Sequence, residues 1–264
     1  AKMKNTFKNW FAALLLAAPM SMAVAAGGHA NYEKVDIDLG DQVSLQRGAQ
    51  IFTNYCLSCH SATGMRFNRL QDIGLTEDEI KKNLMFTTDK VGDVMQTAMT
   101  PTEGKKWFGA APPDLTLIAR SRGADYLYAY LRGFYQDPTR PTGWNNTVFD
   151  KVGMPHPLWE QQGVKAVELD KDGQPVWEKD EHGNLVPKLY WESTGLHSRR
   201  LPNGKVIEKE YDDYVRDLVN YMVYMGEPAQ MQRKQIGYIV LIFLLAVMLP
   251  LAYFLKKEYW KDVH

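Results

Sequence analysis

Hydrophobic residues follow several distinct rhythms along this chain, and each rhythm predicts a different element. From Ile236 to Leu255 the sequence reads IGYIVLIFLLAVMLPLAYFL without a charge. At a rise of ~1.5 Å per residue, a helix of that length crosses a hydrocarbon core of ~30 Å. Arg233 and Lys234 precede the run, and Lys256, Lys257 and Lys261 follow it; Tyr238, Tyr253, Tyr259 and Trp260 suit the two interfaces. Pro250 is tolerable in a membrane helix. The pattern predicts a transmembrane helix over 236–255, with 256–264 as a short cytoplasmic tail. At the other end, Lys2, Lys4 and Lys8 stand before an apolar run from Trp10 to Ala26 that ends in Ala23-Val24-Ala25-Ala26. A basic start, a short apolar stretch and small residues at its end predict a secretory signal peptide over 1–26, cleaved after Ala25 or Ala26.

The body, 27–235, is periodic in two ways. EYDDYVRDLVNYMVYMGEP places Tyr214, Val215, Leu218, Val219, Met222 and Val223 on one helical stripe. Asp212 and Asp213 sit in its first turn, and Gly226 and Pro228 stop it. SLQRGAQIFTNY, with Leu45, Ala49, Ile51, Phe52 and Tyr55, has helical rather than strand spacing, and Gly40-Asp41 stand where such a helix would open. SRGADYLYAYLRGFYQ predicts a helix over 121–136. TEDEIKKNLMF predicts a shorter one, with Thr76 as N-cap and Glu79 at the capping-box position. Residues 163–209 break this rhythm: short apolar runs alternate with the turn signals DKDG, EHGN and LPNG, which predicts an insertion of hairpins and loops. Asp170-x-Asp172-Gly173 is not a calcium loop, because the glycine is misplaced and the closing glutamate is missing.

Composition narrows the function. The 31 basic and 31 acidic residues cancel, so the totals indicate no nucleic-acid surface. The acidic groups Glu77-Asp78-Glu79 and Glu178-Asp180-Glu181 are candidates for steering a basic partner, as well as for ordinary solvated faces. The chain has only two cysteines, Cys56 and Cys59, in NYCLSCHSATG. A zinc site needs four ligands, and neither a third cysteine nor a second close histidine pair is present. A thioredoxin-like pair needs a preceding strand in a βαβ unit. His60 directly after the pair favours a third chemistry: two thioether bonds to haem vinyl groups, with the adjacent imidazole reaching the iron. A secretory signal agrees with that reading, since bacteria attach haem covalently outside the cytoplasmic membrane.

A second iron ligand would leave no open site and make an electron carrier, and a thioether ligand raises the potential. His182 and His197 lie in the polar insertion, and His29 and His264 lie at the ends. Met222 and Met225 fit a helix core. Met154 sits in KVGMPHPLW, where prolines fix a non-helical loop. It is the favoured ligand, with His156 as its rival. In AAPPDLTLIARSRG, the carbonyl of Pro113, or of Pro112 beside it, is a candidate acceptor for the His60 ring N–H. Arg120 or Arg122 is a candidate partner for a haem propionate, Arg120 first.

Taken together, RGAQIFTNYCLSCHS, APPDLTLIARSRGADYLYAYLRGF, GMPHPLW and an amphipathic helix followed by GEP and a C-terminal span resemble the cytochrome c1 family, the haem subunits of the bc1 complex. The resemblance covers most of residues 44–255. It implies a mainly α, class I cytochrome c-like haem domain with a loop and β-hairpin insertion and one C-terminal transmembrane helix. It implies one covalent haem c on Cys56 and Cys59, with His60 and Met154 on the iron. It further implies assembly with cytochrome b and a Rieske iron–sulfur subunit, electron exit to a soluble or membrane-bound cytochrome c, and a haem domain on the periplasmic face of a bacterial inner membrane. The rival expectations are a tail-anchored monohaem cytochrome serving a terminal oxidase, a haem sensor with an open iron site, and a thiol–disulfide module.

Overall fold

The computed structural model describes residues 31–262, so the expected signal peptide over 1–26, His29 and His264 lie outside the described residues. From Tyr32 onward the chain forms one unit. Its first helix, α1 (Gln42–Ile51), opens where the Asp41 carboxylate accepts the Ser44 N–H at 3.0 Å. That bond satisfies one of the orphan donors of the first turn. The helix then widens into a π turn over Phe52–Cys56, which leads into the Cys-x-x-Cys-His segment. Thr53 supplies a cause: its Oγ1 donates to the Ala49 and Gln50 carbonyls at 3.1 Å each, competing for the acceptors of the helical ladder.

Between this segment and the next helices, β1 (Ala62–Arg66) pairs antiparallel with β2 (Val94–Met95). Between these strands lies α2 (Glu77–Asn83), which starts with the expected capping box of Thr76 and Glu79. A second capping box, Thr100 with Glu103, starts α3 (Pro101–Phe108), which the hydrophobic pattern did not reveal. The single helix predicted over 121–136 is instead two short helices and a strand: α4 (Ile118–Arg122), α5 (Ala124–Arg132) and β3 (Phe134–Gln136). Gly123 makes the break, with φ 90° and ψ 153°, a conformation in which a Cβ would be strained.

β3 pairs antiparallel with β4 (Trp144–Asn146). After α6 (Trp159–Gln162), β5 (Gly163–Val167) and β8 (Leu189–Thr194) join them in a sheet of order β4-β3-β5-β8. β6 (Trp177–Lys179) and β7 (Leu185–Pro187) form a separate hairpin, and β9 (Arg199–Arg200) pairs with β10 (Val206–Ile207). The hairpins and loops expected over 163–209 are present, and the first strand of that segment is rooted in the body by the parallel register Gln136↔Ala166.

α7 (Lys209–Gly226) closes the core against α1. Leu45 and Ala49 of α1 and Val215, Leu218 and Val219 of α7 are buried together. Asp217 anchors the crossing: it accepts from Ser44 Oγ at 2.7 Å and from Arg47 Nε at 2.5 Å. The stripe read from sequence is narrower than the face that α7 buries, because Tyr211, Tyr221, Tyr224 and Met225 are enclosed as well. The last helix, α8 (Gln230–Tyr259), is long and apolar enough to cross a membrane, and none of its residues is buried. A π turn over Leu244–Met248 precedes Pro250, and the Leu249 N–H reaches the Leu244 carbonyl. Pro250 has no N–H for a carbonyl one turn back, and such a register shift is how a membrane helix absorbs that loss.

Candidate haem site

The π turn hands Cys56 into the core, and the next residues turn back on it. The N–H groups of Cys59 and His60 both reach the Cys56 carbonyl, at 3.1 and 2.8 Å. Cys56 is buried, Cys59 is half-buried, and the two are free thiols. Burial, with Cys59 beside it, pushes the Cys56 thiol up to about 12. Neighbouring loops brace the turn: Thr97 Oγ1 donates to the Ser58 carbonyl at 2.7 Å, and the Leu115 N–H donates to the Ser61 carbonyl at 2.8 Å.

His60 is buried, and its Nδ1 lies 2.7 Å from the Pro113 carbonyl oxygen. A carbonyl only accepts, so Nδ1 carries the proton and Nε2 keeps its lone pair for a metal. Burial lowers the imidazole's pKa despite the opposing pull of that carbonyl and of Asp114, which favours the neutral ring a metal requires. Asp114 fixes the loop that supplies Pro113. Its carboxylate accepts from Thr63 N at 2.8 Å, Thr63 Oγ1 at 2.9 Å and Thr116 N at 2.8 Å. The Gly64 N–H adds a bond to Thr116 Oγ1 at 3.0 Å.

The Met154 segment packs against the end of α3. Gly153 passes so close to the Phe108 carbonyl, at the end of α3, that a Cβ there would stand 2.6 Å from its oxygen. Met154 is half-buried, and Tyr130 Oη donates to its sulfur at 3.5 Å. His156, its rival in sequence, is engaged on both ring nitrogens: Nε2 lies 2.9 Å from Gln162 Oε1, and Nδ1 accepts the Leu158 N–H at 3.4 Å. Burial pushes its pKa down to about 3, against the pull of Gln162. Met222 and Met225 lie in the core of α7 as expected. His197 stacks on Tyr214, with ring centroids 4.8 Å apart. Arg120 is exposed and pairs with Glu227 at 3.0 Å; Arg122 lies over the Tyr126 ring at 5.6 Å.

The donors present fit a covalently held haem: two unpaired thiols, an imidazole oriented by a carbonyl, and a thioether on a rigid loop. Sequence reasoning missed Asp114, Tyr130 and Gln162. Asp114 carried a signal, since Asp-x-Thr after two prolines is an Asx-turn pattern. Tyr130 and Gln162 carried none, because their partners come from distant elements. The acidic group Glu77-Asp78-Glu79 is occupied within α2: Glu77 pairs with Lys81, Asp78 with Lys82, and Glu79 closes the capping box.

A protein from Nitrosomonas europaea named ammonia monooxygenase gamma subunit is 47% identical over 250 residues, covering 95% of this chain and 96% of that one. Cytochrome c1 of Allochromatium vinosum is 45% identical over 254 residues, covering 96% of this chain and 98% of that one. A Bradyrhizobium diazoefficiens protein named cytochrome b/c1 is 26% identical over 261 residues, which are 85% of this chain and 34% of that protein. The model of the Cytochrome C1 family matches residues 36–207 and 203–263. The chain thus belongs to the cytochrome c1 family, the electron-transfer subunits of the bc1 complex.

Proposed function

We propose that this chain holds one haem c through thioether bonds at Cys56 and Cys59, ligates its iron with His60 and Met154, and relays single electrons from a Rieske iron–sulfur subunit to a cytochrome c. The observation that carries the reading is the 2.7 Å approach of His60 Nδ1 to the Pro113 carbonyl, which leaves Nε2 as a metal ligand. The haem supplies the one-electron chemistry when bound. The protein's own residues hold it, order its ligands and keep water and competing ligands away. The Pro113 carbonyl fixes the His60 tautomer and raises its basicity, and Asp114 keeps that carbonyl in place. Tyr130 orients the Met154 sulfur.

The layout fits the same reading. Residues 1–26 would be removed on export, 27–235 would form a periplasmic haem domain, 236–255 would span the bacterial inner membrane and 256–264 would stay inside. The lysines after the span support that orientation. The cytochrome b/c1 name of the Bradyrhizobium relative supports cytochrome b as a partner. Arg120, paired with Glu227 on the surface, would have to exchange that carboxylate for a propionate.

The test is Met154→Leu in the full-length holoprotein. It should lose the long-wavelength absorption band of methionine-ligated ferric haem, and its reduction potential should fall. An unchanged spectrum moves the ligand elsewhere. The name of the Nitrosomonas relative speaks of another assembly for that protein, and the tail-anchored cytochrome outside a bc1 complex is the second reading. A tagged chain that purifies with cytochrome b and a Rieske subunit excludes that second reading.

A further inference from the structure

The buried polar chain behind Met154 has a single consistent set of proton positions. Gln162 is fully buried. Its Nε2 donates to the Arg132 carbonyl at 3.0 Å and to Glu208 Oε2 at 3.3 Å, both pure acceptors. The amide oxygen must therefore face His156, 2.9 Å away, so His156 Nε2 carries the proton and Nδ1 accepts the Leu158 N–H. The ring is also clamped by aromatic faces. It lies parallel to Phe134 of β3, with centroids 4.7 Å apart at 4°, and edge-on to Trp144 of β4 at 5.2 Å. Glu208 in turn pairs with Lys165 of β5 at 3.0 Å.

The one lone pair of the His156 ring, on Nδ1, is thus engaged by the Leu158 N–H, and the ring is held by Gln162, Phe134 and Trp144 as well. It stands two residues after Met154, with only Pro155 between them, and proline fixes its own φ. A displacement of Met154 from its position would have to drag His156 out of this clamp. We propose that His156 and Gln162 are positioning residues, a latch that ties the Met154 loop to the β3–β4 sheet and to the base of the hairpin insertion, and so sets how firmly the sulfur stays on the iron. The inference rests on Met154 being that ligand.

The latch is tested on the full-length holoprotein by imidazole binding to the ferric haem, with the reduction potential and the long-wavelength band read alongside. His156→Phe keeps a flat ring between Phe134 and Trp144 but removes both hydrogen bonds. Loss of a buried bond should loosen the sulfur enough to tighten imidazole binding by about tenfold and lower the potential. His156→Gln places an amide N–H near the site of Nε2 and should restore most of the wild-type values, which a merely space-filling role for the ring would not predict. Wild-type affinity and potential in His156→Phe, beside a Met154→Leu protein that has lost its band, overturn the latch and leave the ligand assignment standing. An unchanged Met154→Leu protein overturns both. Should His156→Phe fail to accumulate, Gln162→Met decides. It strips the acceptor from Nε2 and should tighten imidazole binding in the same sense; wild-type affinity there overturns the latch.

Discussion

A histidine that gives one ring nitrogen to a carbonyl has only the other to offer a metal, and His60 is in that position. The chemistry of this turn is local, which is why two cysteines and a histidine in five residues were legible at once. Pro113 was legible as a chemical possibility, since an Ala-Pro-Pro-Asp run exposes carbonyls that its prolines cannot pair for themselves. What holds Pro113 in place was not, because Asp114 finds Thr63 only after β1 has folded against the loop. Asp114 therefore carries a prediction. Burial opposes its charge, but the hydrogen bonds from Thr116 and Thr63 outweigh burial and hold the carboxyl below the usual carboxylate range. A lowered folded-state value means stability that is complete above the unfolded carboxylate range and is lost as pH falls through the folded value. Asp114→Asn should cost roughly 1 kcal/mol at neutral pH, a modest figure because the site is largely solvated. Urea midpoints should show this gap at pH ~7 and its closure below pH ~4. A gap that persists unchanged in acid would mean that the charge plays no part.

At the scale of elements, strongly periodic segments were read well and broken ones were not. α7 and α2 announce themselves by stripe and cap. α4 and α5 read as one helix because a lone glycine inside an apolar rhythm looks like a tolerated residue, and only its φ of 90° reveals the corner. β3 and β4 are three residues each, and what makes them strands is pairing across a loop and a long-range parallel partner, neither of which periodicity contains. That α1 and α7 would cross could be expected from their place at the two ends of the body, but not that one glycine fixes the crossing. A Cβ at Gly48 would collide with the Asp217 carbonyl and with Tyr221 Cβ, and the carbonyl belongs to backbone that cannot swing aside. Gly48→Ala should force the helices apart and cost about 3 kcal/mol, at the upper end of overpacking penalties. Gly92→Ala is the control: a Cβ there meets nothing within 4 Å, and chemical denaturation should find it near neutral. Equal stability of the two variants would show that the crossing yields more easily than its geometry implies.

For the whole molecule, the sequence distinguished a long apolar C-terminal helix, a helical body and a hairpin-rich segment because each has its own hydrophobic period, and periods survive without knowledge of contacts. It could not say how firmly these parts depend on one another. The insertion depends on the body through β5, which pairs with β3 and carries Lys165 to Glu208 at the start of α7. α8 differs. None of its residues is buried, and the core of α7 closes on α1 without it. One ion pair across the junction is Arg233 to Glu227 at 2.5 Å, and Glu227 keeps Arg120 as a second partner. A surface pair of this kind contributes about 0–1 kcal/mol. A chain ending at Pro228 should therefore be released without detergent, keep the absorption spectrum of the full protein, and lose no more than about 1 kcal/mol in guanidinium unfolding. Most of the apolar surface it sheds was never inside the domain, so its denaturant slope should match that of a domain with the same core. A truncated protein that loses its haem spectrum or unfolds severalfold more easily would show that the membrane helix is part of the fold and not only its anchor.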